Sequence, residues 1–135
     1  MTTRKKLIKK LDTAWAQVVK KGGVCVRCGK KENLQAAHIA SRNYHSTRWL
    51  PLNGLALCAG CHFFAHLNPV LFTEFVKSHL GRNKFKQLKL QIVEVRKWSV
   101  EELESQLANL EAQLAASPSS GVSVSAPSLS GQKKA

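Results

Sequence analysis

The first twenty residues combine apolar and basic positions in a pattern that predicts an amphipathic helix. Apolar side chains recur at spacings of three and four, which places them on one helix face, and many of the other positions are Lys or Arg. Trp15 lies on the apolar face and is expected in the core rather than stacked on bases. Lys21, Gly22 and Gly23 form a helix-ending sequence. We therefore assign residues 1–22 to a basic N-terminal helix.

Shorter apolar runs follow in the middle of the chain. Residues 33–40 and 54–57 predict the two strands of a hairpin, separated by a long polar loop. Asn68 and Pro69 are a typical cap and first-turn pair for a helix. Three helices are expected after the hairpin, over residues 62–66, 69–81 and 85–95. For the last of these, the alternation from Leu88 to Ile92 would also suit a strand. The hairpin and helices together predict an α+β fold.

Residues 99–116 predict an acidic helix striped with leucine. Ser99 and Glu102 form a capping box at its start. Leucines recur along it at coiled-coil spacing, at Leu103, Leu107, Leu110 and Leu114. Such a stripe predicts contact with a second copy or a partner protein through residues 100–116. Residues 117–135 are rich in Ser, Gly, Pro and Ala, so they are expected to be disordered because they bury too little apolar surface to offset their ordering entropy.

A net charge of +13 and an apolar content of 44% narrow the classes of function. The apolar content is ordinary for a globular protein and excludes wholesale disorder. The longest apolar runs are a few residues, so we expect no membrane-spanning helix, no secretion signal and a cytoplasmic location (the host cytoplasm if the chain is phage-encoded). So large a basic excess indicates an acidic partner, with nucleic acid ahead of an anionic membrane.

The positive charge is concentrated ahead of the leucine-striped helix. Residues 1–98 carry 19 basic and 4 acidic side chains, whereas residues 99–116 carry four acids and no Lys or Arg. The basic run of the first helix has almost no compensating acids, which weakens its interpretation as an ordinary solvated face. It predicts contacts with a DNA backbone by Arg4, Lys5, Lys6, Lys9 and Lys10.

Four cysteines form two Cys-x-x-Cys pairs, Cys25 with Cys28 and Cys58 with Cys61. Each short spacing lets two thiolates reach the same ion, and two such pairs complete a tetrahedral zinc site. One pair alone would also fit a thioredoxin-like redox site, and free thiols or disulfides are the alternative for both pairs. Without a secretion signal, we expect a structural zinc with no open coordination position.

Three of the five histidines lie where they could serve a second metal ion. His62 and His66 are one helical turn apart, which suits a divalent metal, while packing against the neighbouring phenylalanines is the alternative. His38 lies near the end of the first predicted strand. His45, in the loop, could be a ligand or not, and His79 is more consistent with an interaction at a helix C-terminus.

The order of these motifs resembles that of a known nuclease family. A Cys-x-x-Cys pair is followed by Leu-Gln-Ala-Ala-His-Ile, then by Asn53, then by Leu-Cys-x-x-Cys-His. This order is similar to the zinc-bearing HNH branch of the His-Me finger (ββα-metal) endonucleases. With Arg48 and Trp49 ahead of Asn53, it looks most like the phage recombination nucleases of the NinG (Rap) family. The resemblance covers about residues 24–81 and does not extend to either end of the chain.

The resemblance implies a small zinc-stapled ββα-metal core within residues 23–98, with flanking helices, that hydrolyses duplex or branched DNA. In such nucleases the histidine that matches His38 is the general base. The asparagine that matches Asn53 orients that histidine or reaches the metal. The histidine that matches His62 binds one catalytic divalent ion, for which Mg²⁺, Mn²⁺, Ni²⁺ and Zn²⁺ are all candidates.

One position departs from the family pattern. Many HNH proteins have an acidic metal ligand immediately before the first histidine, where this chain has Ala37. His66 is our candidate replacement and His45 a weaker one. Arg42 and Arg48 are expected to contact phosphate beside the metal, with solvated loop charges as the alternative.

Two functional hypotheses follow from these residues. The first is a metal-dependent DNA endonuclease in phage-type recombination or branched-DNA processing, with no membrane partner expected. The second is a non-catalytic, zinc-stabilised nucleic-acid-binding module, motivated by the charge and by the missing acid at Ala37. DNA cleavage in the presence of a divalent ion would discriminate between them.

Overall fold

The computed structural model describes residues 2–116, which form a small α+β fold of five α-helices and one two-stranded antiparallel sheet. The helices are α1 (Thr3–Val19), α2 (Ala59–Leu67), α3 (Pro69–Leu80), α4 (Arg82–Ile92) and α5 (Val100–Ala115). The strands are β1 (Leu34–His38) and β2 (Gly54–Cys58), and a short 3₁₀ turn, Pro51–Asn53, precedes β2. The tail expected to be disordered, residues 117–135, lies outside the described residues.

The hairpin predicted from the two apolar runs is confirmed, and it positions His38 and both cysteine pairs. β1 and β2 pair antiparallel with His38 opposite Gly54. Cys58 is the last residue of β2 and also the N-cap of α2, so the second cysteine pair lies where the strand turns into the helix. The backbone N–H of Val26 donates to the carbonyl of Ala56 at 2.9 Å, which brings the first cysteine pair alongside β2.

Two hydrophobic clusters hold the fold together. One lies among the sheet, α2 and α3, and its buried side chains include Leu55, Leu57, Ala65, Phe72 and Val76. The other joins α1 to α5 and contains all three tryptophans: Leu7, Leu11, Ala14, Trp15, Trp49, Trp98, Leu103 and Leu110. The expectation that Trp15 packs in the core is confirmed, and Trp49 and Trp98 are buried as well.

The leucine-striped helix α5 packs along α1 of the same chain. The guanidinium of Arg4 donates to the carbonyl of Trp98 near the start of both helices, and Lys21 Nζ donates to the carbonyl of Ala116 at 2.7 Å near their ends. The two helices therefore run parallel. Two of the four striped leucines are fully buried in this contact and the other two partly so. The stripe is thus used inside the chain, and a partner for the outer face of α5 stays a prediction.

The ends of the helices can be compared with the caps predicted from the sequence. The capping box of Ser99 and Glu102 is confirmed, with both of its hydrogen bonds present. The side chain of Asn68 does not cap α3. Because α2 ends where α3 begins, the Nδ2 of Asn68 donates to the carbonyl of Phe64 in α2 at 3.2 Å instead. The strand alternative for residues 88–92 is wrong, since they lie in α4. Within residues 2–116, every helix is too short or too polar to cross a lipid bilayer.

Candidate metal centre and histidine cleft

Four cysteine sulfurs converge at the end of the hairpin where β2 enters α2. The Sγ atoms of Cys25, Cys28, Cys58 and Cys61 all lie within 4.8 Å of one another, and those of Cys28 and Cys58 are 3.6 Å apart. A tetrahedral zinc with bonds of about 2.3 Å would separate its sulfurs by about 3.8 Å, so these donors fit a four-coordinate metal. We call this group the cysteine cluster. Its convergence, expected from the two Cys-x-x-Cys pairs, is confirmed, and it could bind a structural metal such as zinc.

The surroundings of the cysteine cluster favour thiolates at two positions. Burial would raise the pKa of Cys25, but backbone N–H groups around its sulfur outweigh this and lower its pKa to about 6. The pKa of Cys58 is lowered mainly by the backbone N–H of Cys61, which donates to its sulfur at 3.5 Å. Burial raises the pKa of Cys61, and the guanidinium of Arg27 donates to that sulfur at 3.4 Å. Four thiolates here would need the charge of a metal ion.

A separate open cleft of about 470 Å³ lies among β1, α2 and α3. It is lined by His38 at the end of β1, by His62 and His66 on α2, and by Arg42 in the loop that follows β1. The rings of His62 and His66 have centres 4.9 Å apart. The structure therefore brings together three histidines and one arginine that the sequence singled out, and we call this the histidine cleft.

His38 is held from two sides by residues outside the hairpin. Its ring stacks on the indole of Trp15, with ring centres 3.9 Å apart and planes 9° apart. Its Nε2 lies 3.1 Å from the carbonyl oxygen of Arg48. A carbonyl only accepts, so Nε2 carries the hydrogen and Nδ1 of the neutral ring keeps its lone pair. Burial lowers the pKa of His38, which leaves the ring neutral at pH 7.

His62 is oriented by Gln35, a residue of β1 that the sequence did not single out. The Nδ1 of His62 lies 2.6 Å from the Oε1 of Gln35, and because an amide oxygen accepts, Nδ1 donates. The free lone pair is then on Nε2, which is the arrangement found when a hydrogen-bond acceptor on the other ring nitrogen orients a metal-binding histidine. Burial, followed by the charge of His66, lowers the pKa of His62. Nothing local in the sequence pairs Gln35 with a residue 27 positions later.

Asn53 is placed differently from the sequence expectation. It is fully buried, its Oδ1 accepts from the backbone N–H of Ala40 at 2.7 Å, and its Nδ2 donates to the carbonyl of Ala40 at 3.1 Å. The N–H of Ile39 also donates to the carbonyl of Asn53 at 3.0 Å. The side chain therefore contacts the backbone after β1 rather than the His38 ring or a metal site. These hydrogen bonds hold the chain directly after β1, which ends at His38.

Arg48 also departs from its expected role. Its Nε and Nη2 donate to the two carboxylate oxygens of Asp12 at 3.2 and 2.9 Å, and its side chain is only 14% exposed. Trp49 Nε1 donates to the same carboxylate at 2.7 Å. The guanidinium of Arg48 is thus used inside the protein, while its carbonyl holds His38. Arg42 is different, since its side chain is 63% exposed and lies 3.7 Å from Asp12.

The basic residues of α1 lead towards the histidine cleft. All five predicted contacts are exposed, but the guanidinium of Arg4 is bound to the carbonyl of Trp98. The other four are Lys5, Lys6, Lys9 and Lys10. Lys5 and Lys9 line a groove whose wall includes Arg42. Because Arg42 also lines the histidine cleft, the positive surface of α1 is continuous with the cleft.

The remaining histidines lie elsewhere. His45 is exposed, and its carbonyl accepts from Trp98 Nε1 at 2.9 Å, so its side chain has no part in the cleft lining. His79, near the end of α3, stacks on Phe75 with ring centres 5.6 Å apart. Within residues 2–116, the cysteine cluster is the only place where three or more His, Cys, Asp or Glu ligand atoms converge closely. The histidine cleft therefore offers at most a partial ligand set to a metal.

Comparison with protein-family models, with curated proteins and with solved structures gives no match. Function is therefore inferred from the chemistry of two sites, the cysteine cluster and the histidine cleft.

Proposed function

We propose that this chain is a metal-dependent DNA endonuclease of the HNH type, with the histidine cleft as its active site and zinc in the cysteine cluster. The observation that carries the proposal is the convergence of His38, His62 and His66 on one cleft beside the exposed Arg42. The motif resemblance adds the finer proposal that the substrate is duplex or branched DNA in phage-type recombination. A cytoplasmic location, in the host cell if the chain is phage-encoded, belongs to the same proposal.

His38 supplies the general base of this proposal. A phosphodiester is anionic and resists attack, so the attacking water must lose a proton as it approaches phosphorus. The Nδ1 of His38 is the nitrogen left to accept that proton, because Nε2 is bound to the carbonyl of Arg48. Trp15 stacks on the ring and Arg48 binds it, so its orientation is set before substrate arrives.

His62 and His66 would hold the divalent ion. Two imidazoles leave the other coordination positions to water and to phosphate oxygens, as a catalytic rather than a structural site requires. The ion would stabilise the negative charge that builds up on the phosphorus centre and on the leaving oxygen. Imidazole nitrogens suit Ni²⁺ and Zn²⁺ well and Mg²⁺ less readily, which makes the choice of metal a central variable of the assay.

Lys5, Lys9 and Arg42 would hold the DNA backbone beside the cleft. Each is exposed, and together they line the surface that joins α1 to the site. Lysine and arginine contacts of this kind fix the position of a duplex and make its binding sensitive to salt.

A second candidate function is a zinc-stabilised nucleic-acid-binding module without catalysis. The observation that favours it is the make-up of the cleft, which has Ala37 before His38 and no carboxylate among the described residues that line it. This module would bind DNA in a salt-dependent way and would cleave none of the substrates with any divalent ion.

A cleavage panel tests the proposal. Linear duplex, supercoiled plasmid, single strand, fork and four-way junction would each be incubated with EDTA, Mg²⁺, Mn²⁺, Ni²⁺ or Zn²⁺. His38→Ala is expected to lower the cleavage rate by about 10²- to 10⁴-fold, the usual contribution of a general base. His45→Ala is the matched control and should cleave like the wild type, because its side chain is exposed and does not line the cleft.

Each result of the panel has a distinct meaning. Wild-type cleavage that survives His38→Ala unchanged would remove His38 as the base. Salt-sensitive binding without cleavage under any condition would favour the non-catalytic module. Zinc content is measured separately on the purified chain, since the cysteine cluster could be filled under either hypothesis.

A further inference from the structure

A second groove, of about 590 Å³, lies between α3 and α4. Four of the side chains that line it are basic, namely Lys77, Arg82, Lys86 and Lys89. We call it the α4 groove. None of its lining residues belongs to the histidine cleft or to the basic run of α1, so the roles proposed above leave it unexplained.

The charge of this region is almost entirely uncompensated. Residues 69–93 contain five Lys or Arg and a single acid, Glu74. The carboxylate of Glu74 lies 3.6 Å from Lys77 Nζ. In the part of the chain that the structure describes, no ion pair includes a basic residue of α4. A solvated helix face normally mixes both signs of charge, so α4 is poised to meet an anionic partner.

The cations of α4 are arranged along one face. Arg82, Lys86 and Lys89 are spaced by four and three residues, which places them on one side of the helix over about 10 Å of its length. The other side is anchored, because Leu88 is fully buried and the hydroxyl of Ser46 donates to the carbonyl of Gln91 at 2.7 Å. The helix that carries the stripe is therefore fixed to the body of the protein.

Helix α3 connects the α4 groove to the histidine cleft. Pro69 and Thr73 line the cleft, whereas Lys77 lines the groove. These residues are four apart and share a helix face, so Lys77 lies about 6 Å further along the axis than Thr73. A DNA strand that leaves the cleft along this face of α3 would reach Lys77, and with it the α4 groove, within one turn of the helix.

We propose that the α4 groove is a second nucleic-acid-binding surface, which holds the DNA backbone beyond the segment in the histidine cleft. The choice of DNA rests on the proposed function, because the groove continues from a cleft whose chemistry suits a phosphodiester. A stripe of unpaired cations fits a polyanion, since each phosphate it neutralises releases bound counterions. The same charge could meet an anionic lipid surface, and the experiment includes that outcome.

Two triple variants with equal loss of charge test the proposal. Arg82→Gln, Lys86→Gln and Lys89→Gln together remove the stripe. Lys30→Gln, Lys31→Gln and Lys97→Gln together remove three exposed cations that line neither the cleft nor the groove. Binding of a labelled DNA duplex is measured in Ca²⁺ between 50 and 200 mM salt, and binding to phosphatidylglycerol vesicles is measured alongside. The two variants must have equal midpoints of thermal unfolding.

The stripe variant is expected to bind at least tenfold more weakly at low salt, and the slope of log affinity against log salt should fall by about 2 to 3. The matched variant should stay within about threefold of the wild type. Wild-type affinity in the stripe variant, or equal weakening in both variants, would overturn the proposal. So would a stripe variant that loses only binding to phosphatidylglycerol vesicles.

His38→Ala separates this proposal from the proposed function. It should lose cleavage, yet removal of the stripe should still weaken its binding to duplex, because it leaves the α4 groove intact. If the wild type never cleaves DNA yet depends on the stripe to bind it, the endonuclease proposal fails and the binding surface stands.

Discussion

The indole of Trp15 stacks face to face on the imidazole of His38, with ring centres 3.9 Å apart and planes 9° apart. Trp15 belongs to α1, which lies outside the stretch that resembles a nuclease. The contact requires a glycine next to it, because a Cβ on Gly54 would lie 2.7 Å from Trp15 Cζ2. Helix α1 therefore contacts the proposed general base directly through Trp15, in addition to carrying basic residues.

Two substitutions of Trp15 distinguish the effect of its aromatic ring from the effect of its volume. Trp15→Phe keeps a ring against His38 and should retain most of the cleavage rate, whereas Trp15→Leu keeps apolar volume without a ring and should lose about tenfold. Both lose the hydrogen bond from Nε1 to the carbonyl of Leu50, worth about 1 kcal/mol. Trp98→Phe and Trp98→Leu are the controls, and equal rate losses in both pairs would refute a specific role for Trp15.

The pH dependence of cleavage should reflect the lowered pKa of His38. A protonated ring cannot accept a proton, so the rate should fall as the pH drops through this pKa, which lies below the ordinary value for histidine. Burial has the largest effect and lowers the pKa of His38; the hydrogen bond to the carbonyl of Arg48 and the charge of Asp12 raise it, and the charges of Arg42 and Arg48 lower it. Asp12→Asn removes the raising charge, so the acid limb of the profile should move to lower pH.

The profile would be measured from pH 5 to 8. Glu74→Gln removes an exposed carboxylate elsewhere and should leave the limb where it is. An Asp12→Asn limb at the wild-type pH, or above it, would contradict the electrostatic account of His38.

Asn53 should matter for the stability of the fold, because its side chain is fully buried and binds the backbone of Ala40. Asn53→Ala leaves the N–H and carbonyl of Ala40 without their partners in a buried site, at a cost of about 1 to 3 kcal/mol for each group. Urea unfolding should show a loss of about 2 to 6 kcal/mol in the free energy of unfolding. Asn83→Ala, on an exposed position of α4, is the control, and a comparable loss in both would argue against these hydrogen bonds.

Zinc should be required for the fold around the hairpin. The purified chain is expected to hold one zinc, and Cys58→Ser should hold less, because three thiolates bind the ion more weakly than four. Chelation should abolish cooperative thermal unfolding, since the energy of metal binding is part of the folding energy. Zn²⁺ should restore the transition and Mg²⁺ should not; a chelated chain that melts like the untreated one would exclude a structural metal.

Leu110 should stabilise a single chain. Its side chain is fully buried between α5 and α1, so Leu110→Ala should cost about 2 to 5 kcal/mol. Leu107→Ala, at a partly buried position of the same stripe, should cost less. Neither unfolding midpoint should change with protein concentration, and a midpoint that rises with concentration would show that the stripe joins two chains instead.

Local patterns in the sequence determined the elements and one of the two sites. Apolar spacing of three and four predicted α1 and α3 to α5, and two short apolar runs predicted β1 and β2, because a helix and a strand each repeat over a few residues. The cysteine cluster followed from two Cys-x-x-Cys pairs, since a short knuckle sets the geometry of its own sulfurs. The endonuclease activity itself stays a prediction.

Only the tertiary structure decided which groups surround each predicted site residue. His38 is held by Trp15 and Arg48, His62 by Gln35, and Asn53 is bound to Ala40. The leucine stripe, for which the sequence predicted a second copy or a partner protein, packs on α1 of the same chain. These contacts join residues far apart in the chain, and they depend on how helices pack against a two-stranded sheet. No local period carries that information, because packing is decided by the shapes and volumes of surfaces that meet only after the chain has folded.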